Sequence, residues 1–172
     1  MSEQYAYSKT TFEYSNNNII IQRNNFLRTG NEYELRFFAV YSYKDQKQPV
    51  KEAQYQADGS LYGYSTYNYD HNGNIKASEH YTINPSGNPV QTSGTTYRYD
   101  DNKNPYRNVY HLLENLPYSI NRNNIIATSR TDYTTDPQGI SHTTTTKENA
   151  YNAYGYPTAM DEQGNNFLLE YK

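Results

Sequence analysis

The chain of 172 residues has room for one domain or two small ones. A net charge of −3 at pH 7 leaves no basic footprint for nucleic acid, and the lack of cysteine excludes disulfides and thiolate metal sites. No apolar run approaches the roughly 18 residues of a membrane-spanning helix.

Turn signals punctuate the chain from its N-terminus. They fall at Asn16-Asn17-Asn18, Gly30-Asn31, Asp45-Gln46-Lys47, Asp58-Gly59, Asn72-Gly73 and Pro85-Ser86-Gly87. Further signals stand at Asp101-Asn102-Lys103, Pro137-Gln138-Gly139, Tyr154-Gly155 and Gln163-Gly164. Gly59, Gly73 and Gly87 are evenly spaced, so each interval holds one strand of about nine or ten residues and a short turn.

The strands are read in the same order. Ile19 and Ile21 face away from Ile20. Over 33–43, Tyr33, Leu35, Phe37, Ala39, Tyr41 and Tyr43 share one face, while Phe38 and Val40 interrupt the polar one and predict cover on both sides. Tyr62 and Tyr64 have one parity and Tyr67 and Tyr69 the other, which predicts a bulge near Ser65-Thr66. Val109, Leu112, Leu113 and Leu116 recur at helical spacing before Pro117, predicting a short helix or loop over 109–119 that Pro117 stops. Residues 140–147, "ISHTTTTK", read as a β-branched strand that is polar on both faces.

Tyrosine, at 22 residues, outnumbers Val, Ile and Leu together. So thin an aliphatic supply raises disorder as an alternative, but the low charge and patterned rings favour a folded chain. Such a chain suits a thin structure whose phenol hydroxyls stay wet or hydrogen-bonded. One strand per turn makes sequence neighbours spatial neighbours. The predicted fold is therefore all-β: an antiparallel up-and-down meander of about 10–12 strands over 1–172, rolled into a soluble barrel-like sheet to limit sticky edges. One short helix or loop insert is expected near 105–122. A mean hydropathy of −1.11 argues against the outer aliphatic band of a membrane barrel.

Two stretches carry a resemblance. "NPYRNVYHLLENLPYSINRNN" at 104–124 and "YNAYGYPT" at 151–158 resemble a family of uncharacterised bacterial cell-envelope proteins, often lipoproteins, with a porin-like fold. The matching features are Asn104-Pro105-Tyr106, the Leu-rich segment, Ser119 with Asn123-Asn124, and the Tyr-Asn-x-x-Gly-Tyr-Pro-Thr turn. In that family a Ser is usually followed closely by a Lys and two Asn; here Ile120, Asn121 and Arg122 intervene. "YDHNGN" at 69–74 is similar to the tyrosine-aspartate repeats of bacterial surface and toxin-shell proteins. The resemblance implies a meander and an envelope or secreted location, and it brings no catalytic residues with it. The N-terminal "MSEQYAYSKT" lacks the features of an export signal, so either the protein is cytosolic or a leader has been removed.

Chemistry-bearing groups do not converge in the sequence. His71, His80, His111 and His142 lack the close pairing of zinc ligands. Asp100-Asp101 and Asp161-Glu162 sit at turn signals and read as solvated, as do Asp132 and Asp136. Ser141 and His142, adjacent in a strand, face opposite sides. No catalytic, cofactor-binding or metal residue is assigned and no cofactor is expected. The reading is a non-enzymatic envelope or surface protein, structural or binding a glycan, peptide or envelope protein on a tyrosine-rich face. The alternatives are a hydrolase or lyase acting on polysaccharide, or a carrier holding a small ligand in the barrel.

Overall fold

The computed structural model describes residues 7–45, 48–107, 116–133, 140–162 and 165–168. Eleven strands follow in chain order: β1 (Ser8–Tyr14), β2 (Ile20–Thr29), β3 (Glu32–Lys44), β4 (Gln48–Gln56), β5 (Leu61–Tyr69), β6 (Ile75–Ile83), β7 (Pro89–Lys103), β8 (Asn123–Asp132), β9 (Ser141–Tyr151), β10 (Pro157–Glu162) and β11 (Asn165–Leu168). A single turn of helix, α1 (Leu116–Ile120), precedes β8. The hydrogen-bonded order is the sequence order, so the all-β antiparallel meander is present. That order is linear, and no ladder joins β1 to β11 among the described residues.

The recurring sequence pattern corresponds to one kind of corner. At 15–19, 56–60, 70–74, 84–88 and 152–156, the first N–H donates to the fifth carbonyl and the fourth N–H donates to the first carbonyl. The fourth residue has a φ of 57–85°, which selects glycine four times and Asn18 once. In three corners the first side chain completes the loop. Asp70, Asn84 and Asn152 each accept, through Oδ1, the N–H groups of the third and fifth residues at 2.9–3.1 Å. Asp58 caps its corner from the third position, holding Ser60 through both its N–H and its hydroxyl. Corner geometry fixes hairpin register, so the short repeat is an architectural device.

Three expectations need correction. No bulge interrupts 65–66 on the β4 side, where Glu52 pairs with Ser65 and Lys51 with Thr66. The irregularity lies at Tyr62 instead, and the tyrosines simply change faces: Gly63, Ser65 and Tyr67 alternate as the buried residues. Asp101-Asn102-Lys103 is the irregular end of β7 and not a turn, since its register jumps from Tyr99–Ile125 to Lys103–Asn123. Pro117 does not stop a helix. It lies in the first turn of α1, where a missing N–H costs nothing. Residues 108–115, and with them Val109, His111, Leu112 and Leu113, lie outside the described residues, as do the turns at 46–47, 137–139 and 163–164 and Asp136.

Two compact units divide the chain: residues 1–66 with 80–91, and 67–79 with 92–172. In the first, Ile20, Ala39, Tyr41 and Ala53 are buried together with the polar Arg23, Asn24, Asn25, Glu52 and Ser65. Ile20 is buried and Ile21, which the alternation sets on the other face, is exposed. Phe38 stacks on Tyr55 with centroids 5.0 Å apart, so β3 has ring cover on its second face. Tyr64 lies between Tyr81, at 4.7 Å, and the Lys51 ammonium, 4.2 Å from its centroid. Both faces of that ring are occupied, which makes it a packing element.

Gly63 marks a close approach. A Cβ built there would stand 2.4 Å from the Tyr81 carbonyl oxygen, a backbone atom that cannot swing aside. Gly63→Ala is expected to destabilise this unit by about 1–3 kcal/mol, the usual cost of overpacking. A urea midpoint indistinguishable from that of the parent protein would contradict the tight packing.

In the second unit Tyr67, Ile75, Leu116, Ile125 and Ala127 are buried beside Asn74, Ser78, Ser93, Thr95, Asn104, Ser119, Asn121 and Asn124. Among the described residues there, buried amides and small hydroxyls outnumber buried aliphatics. A core of that kind stands only if its polar atoms are paired.

Candidate functional site: an amide-lined pocket

Asparagines in β7 and β8, in the corner before β6 and in the segment between β7 and β8 do much of that pairing among the described residues of the second unit. Asn121, fully buried, accepts the Ile75 N–H at 2.7 Å and donates to the Tyr99 hydroxyl at 2.7 Å and to the Pro117 carbonyl. Asn74 accepts the Arg122 and Asn123 N–H groups and donates to Asn123 Oδ1. Asn104 donates to the carbonyls of Tyr118 and Asn121 and accepts the Tyr106 N–H, which seats α1 against the end of β7.

Asp100, expected at a solvated turn, belongs to this network. Its carboxylate accepts the Asn124 N–H at 3.1 Å, the Asn124 side-chain amide, the Asn102 N–H and the Tyr151 hydroxyl. Sequence patterning missed these partners because it treats Asp and Asn as turn formers. The available signal was amides standing in or beside strands, at 104, 121, 123 and 124, where a β-branched or aromatic residue would be favoured.

Next to this network lies a cavity of about 40 Å³. Buried Asn104, Pro117, Asn124 and Ile125 line it. Half-buried Tyr106, Tyr118, Lys147 and Asn149 form the rim. The Lys147 ammonium donates to the Tyr118 hydroxyl at 2.7 Å and lies 4.9 Å from the ring centroid, so it sits beside the hydroxyl. Asn149 donates from Nδ2 to the Tyr151 hydroxyl at 2.9 Å, while its buried Oδ1 has no hydrogen-bond partner among the described residues.

Phenol acidity reflects the same burial. Desolvation pushes Tyr97 and Tyr99 above the ordinary tyrosine value, and the neighbouring phenols add to the shift at Tyr99. Burial, followed by donation to the Asp100 carboxylate, moves Tyr151 up to about 12. A raised folded pKa contributes stability that is whole below the ordinary value of 10.0 and is lost as pH rises through the folded value. Tyrosinate absorbance on alkaline titration should therefore develop in two stages, with the late stage coinciding with unfolding of this unit. A single stage centred on the ordinary tyrosine pKa would contradict the buried hydrogen bonds.

The other candidates do not assemble. His71 lies in a corner; His142 is exposed and bonds Thr131; His111 lies outside the described residues. His80 Nδ1 stands 2.7 Å from Ser65 Oγ, a pair that sequence reading missed. Ser65 is buried on the face of a strand and is not among the residues lining this cavity. Asp132 pairs with exposed Arg130, and Asp161 lies in β10. No group of three or more His, Asp or Glu able to hold a metal occurs among the described residues.

The fold and site define an antiparallel β-meander carrying a small pocket of amides, phenols and one ammonium. No protein-family model matches the chain, and no curated protein matches it. Solved structures do. A protein of unknown function from Bacteroides fragilis is 9% identical with a TM-score of 0.53, covering 80% of this chain and 89% of that one. A DUF3836 family protein from Bacteroides vulgatus is 14% identical with a TM-score of 0.41, covering 49% and 89%. Another DUF3836 family protein, from Parabacteroides distasonis, is 11% identical with a TM-score of 0.31, covering 81% and 90%. At these identities the first likeness concerns the fold alone. Among the described residues no helix is long and apolar enough to cross a membrane.

Proposed function

We propose that this protein is a non-enzymatic binding protein of the bacterial cell envelope that holds a glycan at the tyrosine- and amide-lined pocket of its second unit. The observation that carries the reading is the chemistry of the pocket wall. Rings at Tyr106 and Tyr118 offer apolar surface, Asn104, Asn124 and Asn149 line the wall beside them, and Lys147 at the rim offers a charge. Sugars are bound by that combination of stacking surface and fixed polar groups. Hydrolysis of a glycoside asks for two carboxyls about 5–9.5 Å apart across the bond. Asp100 contributes one carboxylate near this region, and it is held by Asn124 and Tyr151. The envelope location rests on the resemblance carried by residues 104–124 and 151–158.

A glycan array probed with the parent protein and with Tyr106→Ala and Tyr118→Ala tests the proposal. Glycan capture by the parent, weakened about tenfold or more by either change, is the expected result. No captured glycan, or capture indifferent to both rings, would end the binding proposal. Release of new reducing ends from a captured polysaccharide would overturn the non-enzymatic part.

A further inference from the structure

We infer that the first unit carries a binding surface of its own for an acidic glycan, a chain of pyranose rings bearing carboxylates. It shares no residue with the pocket and stands or falls apart from it. The surface is one face of β1, β2 and β3. Opposed residues of antiparallel strands share a face, so two rows cross the three strands. Tyr7, whose carbonyl accepts the Arg28 N–H at 3.0 Å, leads through Arg28 to Tyr33. Lys9 leads through Phe26 to Leu35. Tyr7 and Tyr33 are 54% and 46% exposed, and both cations are exposed beside them.

Each cation lies beside a ring without closing it. Lys9 Nζ is 5.7 Å from the Tyr33 centroid and 5.8 Å from that of Phe26, and the Arg28 guanidinium is 5.8 Å from that of Tyr7. Such contacts reach out to about 6 Å, so these are at the margin. Tyr64, with Lys51 at 4.2 Å and Tyr81 stacked on it, shows what a closed ring looks like. Arg28 donates from Nε to the Gly30 carbonyl, which leaves its two Nη groups to receive a carboxylate. Among the described residues no carboxylate pairs with Lys9 or Arg28. Glu32 and Glu34 alternate to the opposite face, where Glu34 takes the Thr29 hydroxyl. Glu13 shares the face of Lys9 two rows further along and is engaged by the amides of Gln22 and Asn24. The patch is left positive, so its partner is anionic.

The rings choose among anions. A uronic acid joins a carboxylate to a flat C–H face, so one unit meets cation and ring together. A bilayer asks for apolar side chains that reach into it, whereas Phe26 and Leu35 are half-buried in the sheet and the exposed rings carry hydroxyls. An acidic peptide brings charge without the plane.

Two-dimensional ¹H–¹⁵N NMR titrations test the inference with four probes: tetragalacturonate, its methyl ester, a tetraglutamate peptide, and vesicles of equal parts phosphatidylglycerol and phosphatidylcholine. Tetragalacturonate should shift the backbone amides of Phe26, Arg28 and Tyr33 and bind about tenfold or more tightly than the ester or the peptide. The double variant Lys9→Gln with Arg28→Gln should lose about tenfold or more, and Tyr33→Ala several-fold. No binding of tetragalacturonate, or equal binding by the double variant, would overturn the inference. Peptide bound as tightly as the sugar, or vesicles bound and the sugar not, would overturn the glycan as occupant. Shifts confined to the pocket and abolished by Tyr118→Ala would place the acidic sugar there, overturning this surface while supporting the pocket reading. Should Tyr33→Ala fail to fold, Tyr7→Ala at the other end of the row takes its place, with the same several-fold loss expected and no loss contradicting the role of the rings.

Discussion

Replacing Glu52 by Ala should lower the stability of the first unit by about 3–5 kcal/mol, a fall in Tm of about 6–20 °C for a chain of this size. Arg23 and Glu52 meet through Nη2 and Oε1 at 3.4 Å, and each side chain is only 4% exposed. Gln54 donates to the same Glu52 oxygen. Removal of the carboxylate leaves the guanidinium charge where water cannot reach it, and desolvation outweighs any relief of strain. Arg23→Met with Glu52→Leu removes both charges together and should be close to neutral, or stabilising. The exposed pair Arg130–Asp132, shorter at 2.6 Å but 48% and 32% exposed, supplies the contrast: breaking it should cost about 1 kcal/mol or less. Thermal unfolding of these variants checks the account. A single Glu52→Ala loss no larger than the Asp132→Ala loss would show that burial does not govern the pair.

Asn121→Ala is the second large expected effect, about 2–5 kcal/mol in the second unit. The change removes the acceptor of the Ile75 N–H and the donor to Tyr99 and Pro117, and Ile75 and Asn121 are both 0% exposed. Polar groups orphaned there cost about 1–3 kcal/mol each. Asn121→Asp separates donor from acceptor. It keeps the oxygen facing Ile75 and sets a carboxylate against the Pro117 carbonyl, so burial raises its pKa. A raised folded pKa gives stability that is whole at low pH and lost as pH rises. The Asp variant should therefore stand closer to the parent at pH 4 than at pH 7 in urea titrations. A deficit independent of pH would mean that this side chain is not buried in hydrogen bonds.

Strands and corners were legible because they are local. A glycine four places into a loop needs positive φ, and an alternating strand such as 33–43 declares its faces, so eleven strands in sequence order follow from short-range rules. What was hidden depends on distant partners. Asp100 reads as a turn residue until Asn124 and Tyr151 are brought to it, and Ser65 and His80 pair only across strands. Pro117 misled because proline both ends helices and opens them, and only the start of α1 decides which. The pocket was invisible for the same reason: Asn104 and Tyr118 stand within 104–124, but Lys147 and Asn149 come to them only from a distant strand.

Amide hydrogen exchange tests most directly the claim that side-chain amides and capped corners hold this sheet together. The N–H groups of Ile75, Arg122 and Asn124 donate to Asn121, Asn74 and Asp100 side chains, outside any strand ladder. They should exchange as slowly as ladder amides in β8, and the corner amides of Asn74, Asn88 and Tyr156 more slowly than other loop amides. Exchange of all six at the rate of an unfolded chain, with the ladders still protected, would contradict it.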